Sequence, residues 1–283
     1  MDAYICMTCG SQFMLSHEPP PRCPICDDDR QYVGAQGQRW TTLAALQADH
    51  HNLIRDEAPD LTGIGSEPAF AIGQRALLVR TPGGNVLWDC VSLIDDATVQ
   101  RLNELGGVTL IAISHPHYYS SMVEWSRAFE APIVLHSDDR QHVMRPDKAI
   151  GFWHGDTLAL HDGMTLIRTG GHFDGGTVLH WPAGAGGRGA LLSGDLIYVL
   201  PDQRYVSFMY SYPNLIPLPE HEIRRVAAAV EPYAFETIYG AWWSRIMPAD
   251  GNAVVQRSAE RYIRAIRGEY PAERSKLAEN NDR

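Results

Sequence analysis

Three times in this chain a short apolar run passes through small residues and stops at a side chain able to ligate a metal. The stretches are Ile113-Ser114-His115, Thr169-Gly170-Gly171-His172 and Ser193-Gly194-Asp195. Strands that deliver such donors to one edge of a packed layer form a cleft there, and glycine beside a donor lets the backbone come close. The first stretch continues as Ser114-His115-Pro116-His117-Tyr118-Tyr119-Ser120, behind the apolar run Thr109 to Ile113. Two imidazoles one residue apart beyond a strand end can aim at one point, and neutral imidazole ligates zinc, iron, copper or nickel. A lone histidine more often makes a local hydrogen bond, and an aspartate after glycine can merely cap a turn. It is the ordered set of four donors that points to a metal.

A second donor set lies at the N-terminus, where Cys6-x2-Cys9 and Cys23-x2-Cys26 use four of the five cysteines. Each pair forms a knuckle whose thiolates converge on one ion. Two knuckles make a closed tetrahedral four-sulfur site of the structural type. Residues 1–35 are too few to bury a useful core, so metal binding would supply the folding energy, on the order of 10–16 kcal/mol for zinc. Two disulfides, or four reduced thiols without a partner, are the competing readings. The opening Met1-Asp2-Ala3-Tyr4 lacks the basic and apolar regions of a secretory signal, which favours the metal. The unit resembles zinc ribbons and the rubredoxin-like knuckles of rubrerythrins. Zinc is the expected ion, although thiolates alone leave iron open. The fifth cysteine, Cys90, reads as a small buried residue beside Asp89.

At 283 residues and 45% hydrophobic content, the chain has room for one large domain and one small one. A net charge of −10 has the wrong sign for a protein held by nucleic-acid phosphates. No apolar run approaches the roughly 20 residues that cross a bilayer. The expectation is a soluble, cytoplasmic protein acting on a small molecule, with no nucleic-acid or membrane partner. Residues 36–68 read as a connector with a short helix capped by Thr41 or Thr42, punctuated by Gly63, Gly65 and Pro68. From residue 69 strands and helices alternate. A hairpin spans 76–89, helices fall at 96–105, 121–130, 219–230 and 253–267, and short strands lie at 132–136, 164–168, 177–181, 190–193 and 235–239. The aromatic segment from Tyr198 to Leu218 reads as a lid, as a homodimer contact, or as core packing. Residues 269–283 form a polar tail.

The order His-x-His after a strand, then Gly-Gly-His, then Ser-Gly-Asp resembles the metallo-β-lactamase fold superfamily over roughly residues 69–268. That resemblance implies an α+β fold, a four-layer αββα sandwich with metals at one edge, here with a small N-terminal ribbon added. It also implies His115, His117 and His172 as ligands of a first metal, with Asp195 as the ligand that bridges to a second. The family pattern His-x-His-x-Asp-His is broken, because its last two places hold Tyr119 and Ser120. Ala241 or Trp242 stands where a final histidine follows the last strand. Tyrosine is a poor zinc ligand, serine a weak one, and tryptophan cannot ligate. One cleft ion, zinc or iron, is therefore expected instead of two.

The chemistry implied is attack by metal-activated water on an ester, amide or thioester carbonyl or on a phosphodiester, and one ion on three histidines is competent for it. Asp195 would act as ligand or as base, and Tyr118 or Tyr119 as donors to a developing oxyanion. Aromatic packing at the cleft rim is the equal alternative for both tyrosines. A mononuclear hydrolase ranks first and a catalytically silent binding or sensing protein second. An iron-dependent redox protein ranks third, since flavodiiron-type members of the superfamily pair this fold with redox modules. The substrate stays open, because the fold hosts many chemistries.

Overall fold

The structure, a computed structural model, describes residues 1–269. The expected polar tail lies outside them except for its first residue. Successive side chains of a strand point to opposite faces, so a strand apolar at every position needs cover on both sides. The strand Arg75–Val79 is such a case from Ala76 onward. Leu77 and Val79 face one core, while Ala76 and Leu78 face another.

Two sheets resolve this demand. The larger has seven strands in the order Ile150–Trp153, Ile133–His136, Leu110–Ala112, Val86–Trp88, Arg75–Val79, Leu61–Glu67 and His51–Ala58. The first four run parallel, and the others join antiparallel. The smaller has six, in the order Thr157–Ala159, Thr165–Arg168, Thr177–Trp181, Ala190–Gly194, Thr237–Gly240 and Ile246–Met247. Leu77, Val79, Val86 and Trp88 of the first sheet meet Leu166, Leu179, Leu192 and Tyr239 of the second in a buried core. On the outer face of the first sheet, helices Asp96–Glu104 and Met122–Phe129 bury Leu102, Met122 and Trp125. On the outer face of the second, helices Glu220–Val230 and Gly251–Ile266 bury Ile223, Val226, Val254 and Ile263. Each such side chain contributes roughly 1.5–3 kcal/mol when fully buried, so the layer contacts carry the domain. The expected four-layer sandwich is present.

Two boundaries expected from the sequence need correction. The segment 36–68 is no connector, because His51–Ala58 and Leu61–Glu67 form a hairpin that completes the seven-stranded sheet. Gly63 and Gly65 are not punctuation either. Both sit within the strand Leu61–Glu67, and a Cβ on them would come within 2.7 and 2.8 Å of the Trp243 indole. Trp243 lies there over the Arg55 guanidinium at 3.9 Å, beside a buried ion pair of Arg75 with Glu57. The N-terminal unit also runs past residue 35. Trp40–Thr41 pairs with Asp2–Cys6, which pairs in turn with Gln12–Ser16, and the four cysteines with Phe13 and Ile25 form its small core. Thr42 caps the following helix Leu43–Asp49 by accepting from the Ala45 amide.

The strands Leu110–Ala112, Thr165–Arg168 and Ala190–Gly194 all end at the edge where the donor residues lie. One buried carboxyl braces that edge. Asp139, in the short 3-10 helix Ser137–His142, accepts from the Gly175 amide at 2.9 Å in the loop that follows His172. Burial pushes the pKa of Asp139 up to about 7.

Two outcomes follow from this packing. Gly65→Ala drives a methyl group into the Trp243 ring and should cost about 1–3 kcal/mol in chemical denaturation. Removing the ring with Trp243→Ala should cancel most of that penalty in a double-mutant cycle, and an additive pair would contradict the close packing. The second outcome concerns Asp139. Unfolded, its carboxyl loses a proton near 3.8, whereas folded it holds the proton to about 7. The folded state thus binds more protons between those values, and wild-type stability falls as pH rises through that window. Asp139→Asn keeps an acceptor and cannot ionise. It should gain on wild type by up to about 1.4 kcal/mol per pH unit across the window and hold a constant gap above it. Urea unfolding of both proteins at a series of pH values measures the gap.

Candidate functional site

Among the described residues, two groups of side chains bring their donor atoms close enough to share a metal ion. One is Cys6, Cys9, Cys23 and Cys26, and the other is His115, His117, His172 and Asp195; within each group the donor atoms lie within 4.8 Å of one another. Both are buried.

In the second group the backbone does the aiming. His115 and His117 flank and enter a short 3-10 turn, Pro116–Tyr118, just past the strand Leu110–Ala112. His172 follows two glycines after the strand Thr165–Arg168, and Asp195 ends the strand Ala190–Gly194. Gly194 has φ of +56°, and a Cβ there would meet the Ser114 hydroxyl at 2.9 Å, so the close crossing of the two sheets at this point requires glycine.

The rings are held by their outer nitrogens. His172 Nδ1 faces the carbonyls of Tyr210 at 2.7 Å and Met209 at 3.2 Å. A carbonyl only accepts, so Nδ1 carries the proton and the Nε2 lone pair is turned inward. His115 Nδ1 lies 3.0 Å from the Ser114 hydroxyl, and its Nε2 is 3.2 Å from Asp195 Oδ1. His117 Nδ1 is 3.2 Å from His172 Nε2. The four residues are only 1–4% exposed.

Electrostatics favours lone pairs over protons. Burial, reinforced by the charge of His172 and by the Arg30 guanidinium, pushes His115 and His117 well below the ordinary histidine pKa. Burial lowers His172 too, against the opposing pull of Asp195. All three imidazoles are neutral near neutral pH. Burial raises Asp195, while His172 and the Tyr118 hydroxyl hold it down. His115 Nε2 and Asp195 Oδ1, which face the shared point, are buried without hydrogen-bond partners of good geometry among the described residues. Orphaned donors and acceptors of this kind are costly unless something satisfies them. Four ligands about 2.0–2.2 Å from a tetrahedral ion stand about 3.3–3.6 Å apart. The donor set fits such an ion.

The four-cysteine group fits one as well. Cys6 and Cys26 Sγ are 3.6 Å apart, as are Cys9 and Cys23. A disulfide holds its sulfurs near 2.05 Å, so the disulfide reading is out. The neighbouring sulfurs draw the Cys6 thiol well below the usual range and push Cys9 and Cys26 above it. Four thiolates so close cannot all ionise unless a cation neutralises them. Gln38 Nε2 also donates to Cys6 Sγ at 3.0 Å.

The remaining expected site residues divide. Tyr118 is brought to the cluster: its ring lies 4.4 Å from that of His115 and its buried hydroxyl has no hydrogen-bond partner of good geometry among the described residues. Tyr119 is not. It packs with Met122 and Val123 in the core under the first knuckle, and its ring touches none of the three imidazoles. Ser120 has left metal chemistry for structure, since its hydroxyl donates to the Cys90 carbonyl at 3.2 Å and accepts from Gln74 at 3.1 Å. Ala241 is buried, and Trp242 donates its indole N–H to the Ile72 carbonyl at 2.9 Å. The segment 198–218 is core and wall together: Phe208 is fully buried, and Tyr212 donates to the Asp195 carbonyl at 2.7 Å.

Three contributors escaped the sequence reading. Ser114 was read only as a small residue, although a hydroxyl directly before a ligand histidine is a usable signal. Phe173 packs within 5.4 Å of all three imidazole rings and could have been flagged as the aromatic after His172. Arg30, whose guanidinium carbon lies 3.9 Å over the Phe173 ring, left no local signal. Asp89 was placed at a strand end without a role. Its Oδ1 accepts from the Ser114 amide at 2.8 Å, and burial pushes it up to about 8, so it braces the ligand loop as a neutral acid.

No family model matches the chain. Among solved structures, DIM-1 metallo-β-lactamase exposed to ceftazidime superposes with a TM-score of 0.57 at 14% identity, over 76% of this chain and 98% of that one. A metallo-β-lactamase from Cronobacter sakazakii gives 0.51 at 17% identity, over 78% of this chain and 98% of that one. Likeness at such low identity speaks for the fold alone. A protein of Bacillus subtilis (strain 168), "Uncharacterized protein YmaE", is 49% identical over 271 residues, 95% of this chain and 98% of that protein. With that identity across nearly the full length of both, the chain belongs to the YmaE family, a metallo-β-lactamase fold bearing an N-terminal four-cysteine cluster.

Proposed function

We propose that this protein is a hydrolase that works with one metal ion at His115, His117, His172 and Asp195, on an ester, amide, thioester or phosphodiester. The observation that carries this reading is the convergence of three neutral, oriented imidazoles and one carboxylate on a single buried point. A divalent ion held there would supply Lewis acidity toward a carbonyl or phosphoryl oxygen and toward water. The protein's own groups supply the rest. Ser114 and the carbonyls of Met209 and Tyr210 fix the rings of His115 and His172 before any ligand arrives. Asp195, made more basic by burial, accepts a proton from attacking water when it is not itself a ligand. The Tyr118 hydroxyl is a donor for an oxygen that gains negative charge, and burial keeps it protonated. Ser120, Ala241 and Trp242 are engaged in structural contacts, which supports one ion in place of two.

One observation favours a second reading. With the donor residues at most 4% exposed, a substrate needs the surrounding wall to move. A protein that holds a metal without turnover, for binding or sensing, would have no such need. Metal analysis of protein purified without added metal, together with assays on generic ester, lactam and phosphodiester substrates, separates the two. The hydrolase reading expects metal in both donor sets. It also expects His115→Ala to lose the cleft metal, keep the cysteine-bound one, and lower turnover by at least about 100-fold. Full occupancy of both sets with no turnover of any substrate class favours the second reading. Unchanged activity in His115→Ala rules out the first.

A further inference from the structure

The four-cysteine unit touches the loops that carry ligands from both sheets. On one side, the Gln12 amide after the first knuckle donates to the Ser120 carbonyl at 3.0 Å, and the Ser92 hydroxyl donates to the Gly10 carbonyl at 2.8 Å. On the other, the second knuckle runs through the short helix Pro24–Asp27 into residues 28–31, which lie between the His172 loop and the segment that orients His172. Arg30 Nη1 donates to the His172 carbonyl at 3.4 Å, and Asn214 Nδ2 donates to the carbonyls of Asp29 and Gln31, both at 2.8 Å.

Arg30 is the densest point of this contact. Its guanidinium is clamped by Asp28, with Nε to Oδ1 at 2.6 Å and Nη2 to Oδ2 at 2.7 Å. Held flat in that fork, its guanidinium carbon sits 3.9 Å above Phe173 and 5.6 Å from the Tyr210 ring. Phe173 packs on the three imidazoles, and the Tyr210 carbonyl holds His172 Nδ1. The side chain is only 14% exposed. A bare cation here would oppose a metal a few ångströms further in. Asp28 pairs with it and offsets much of the charge felt by the imidazoles, so what Arg30 adds to the cluster is chiefly a rigid plate.

We propose that Arg30 is a positioning residue for His172, through which the four-cysteine unit sets the metal affinity of the histidine–aspartate cluster. The inference rests on the reading that this cluster binds a metal, but not on its being an enzyme. Because Arg30 lies four residues beyond Cys26, metal in the cysteine site orders the segment that braces His172. By linkage, a filled cluster raises the affinity of the cysteine site by the same factor.

Cobalt(II) titration of the metal-free full-length chain tests this. Thiolate-bound cobalt shows charge-transfer absorption that nitrogen- and oxygen-bound cobalt lacks, so the two sites are read separately. Arg30→Gln should take up thiolate-bound cobalt as wild type does, while its uptake at the histidine–aspartate cluster weakens by about 10–100-fold. Arg30→Lys keeps the charge but not the fork or the plate, and should weaken that uptake comparably. Cys26→Ser should weaken it as well, although it alters no residue of the cluster, and the Arg30 variants stand as the test if Cys26→Ser fails to fold. A purely electrostatic role predicts the opposite sign for Arg30→Gln, because loss of a positive charge tightens cation binding. Unchanged or tighter uptake at the cluster in both Arg30 variants overturns the proposal. If wild type takes up thiolate-bound cobalt only, the reading of the cluster as a metal site fails, and the proposal with it.

Discussion

Ser114 uses every polar group it has to fix the edge where the two sheets meet. Its amide donates to Asp89 in the first sheet, its carbonyl accepts from the Thr177 amide of the second at 2.9 Å, and its hydroxyl fixes the His115 ring. Its side chain fills the space left by Gly194, directly before Asp195. The ligands come in pairs from opposite sheets, so their spacing depends on how the sheets are pinned at this edge. Burial pushes Asp89 up to about 8, so near neutral pH it braces this edge mostly as a neutral acid. A single residue therefore sets the ring orientation, the contact between the sheets, and the approach of Asp195.

Much of this was legible in advance because it rests on local rules. Strands apolar on both faces, such as Arg75–Val79 and Ala190–Gly194, announce cover on both sides, and each donor after small residues did fall at the same edge. The hairpin His51–Ala58 with Leu61–Glu67 was missed for a physical reason. Glycine in a strand looks like a break until its partner is known, and the Trp243 ring that fills the space over Gly63 and Gly65 comes from the end of the chain. Arg30 was illegible for the same reason, since its importance lies in residues 142 positions away. The two readings left open for the tyrosines, oxyanion donor and aromatic packing, divide between them in the structure. The turn Pro116–Tyr118 rotates adjacent residues to different sides, which brings Tyr118 to His115 and sends Tyr119 to the core.

The positions where a two-metal site would keep further ligands show how that capacity is replaced. Ser120 is hydrogen-bonded to Gln74 and Cys90, and its carbonyl receives the first knuckle. The space beside the cluster is thus occupied by protein, and the four-cysteine unit forms part of the wall. Burial that deepens in this way strengthens electrostatic interactions inside the site and makes each unsatisfied donor more expensive. It also means that the N-terminal unit helps to enclose the histidine–aspartate cluster.

The same arrangement fixes an order of events during synthesis. The cysteine unit is made before either sheet of the sandwich, since its three strands lie within residues 2–41. Its seat, however, is built from the loops around Ser120, His172 and Asn214, which arrive much later. Contacts that span so much sequence form slowly and leave apolar surface uncovered in the interval. The cysteine unit therefore docks only after the segment around Asn214 has been made, and the histidine–aspartate cluster beside it is enclosed no earlier.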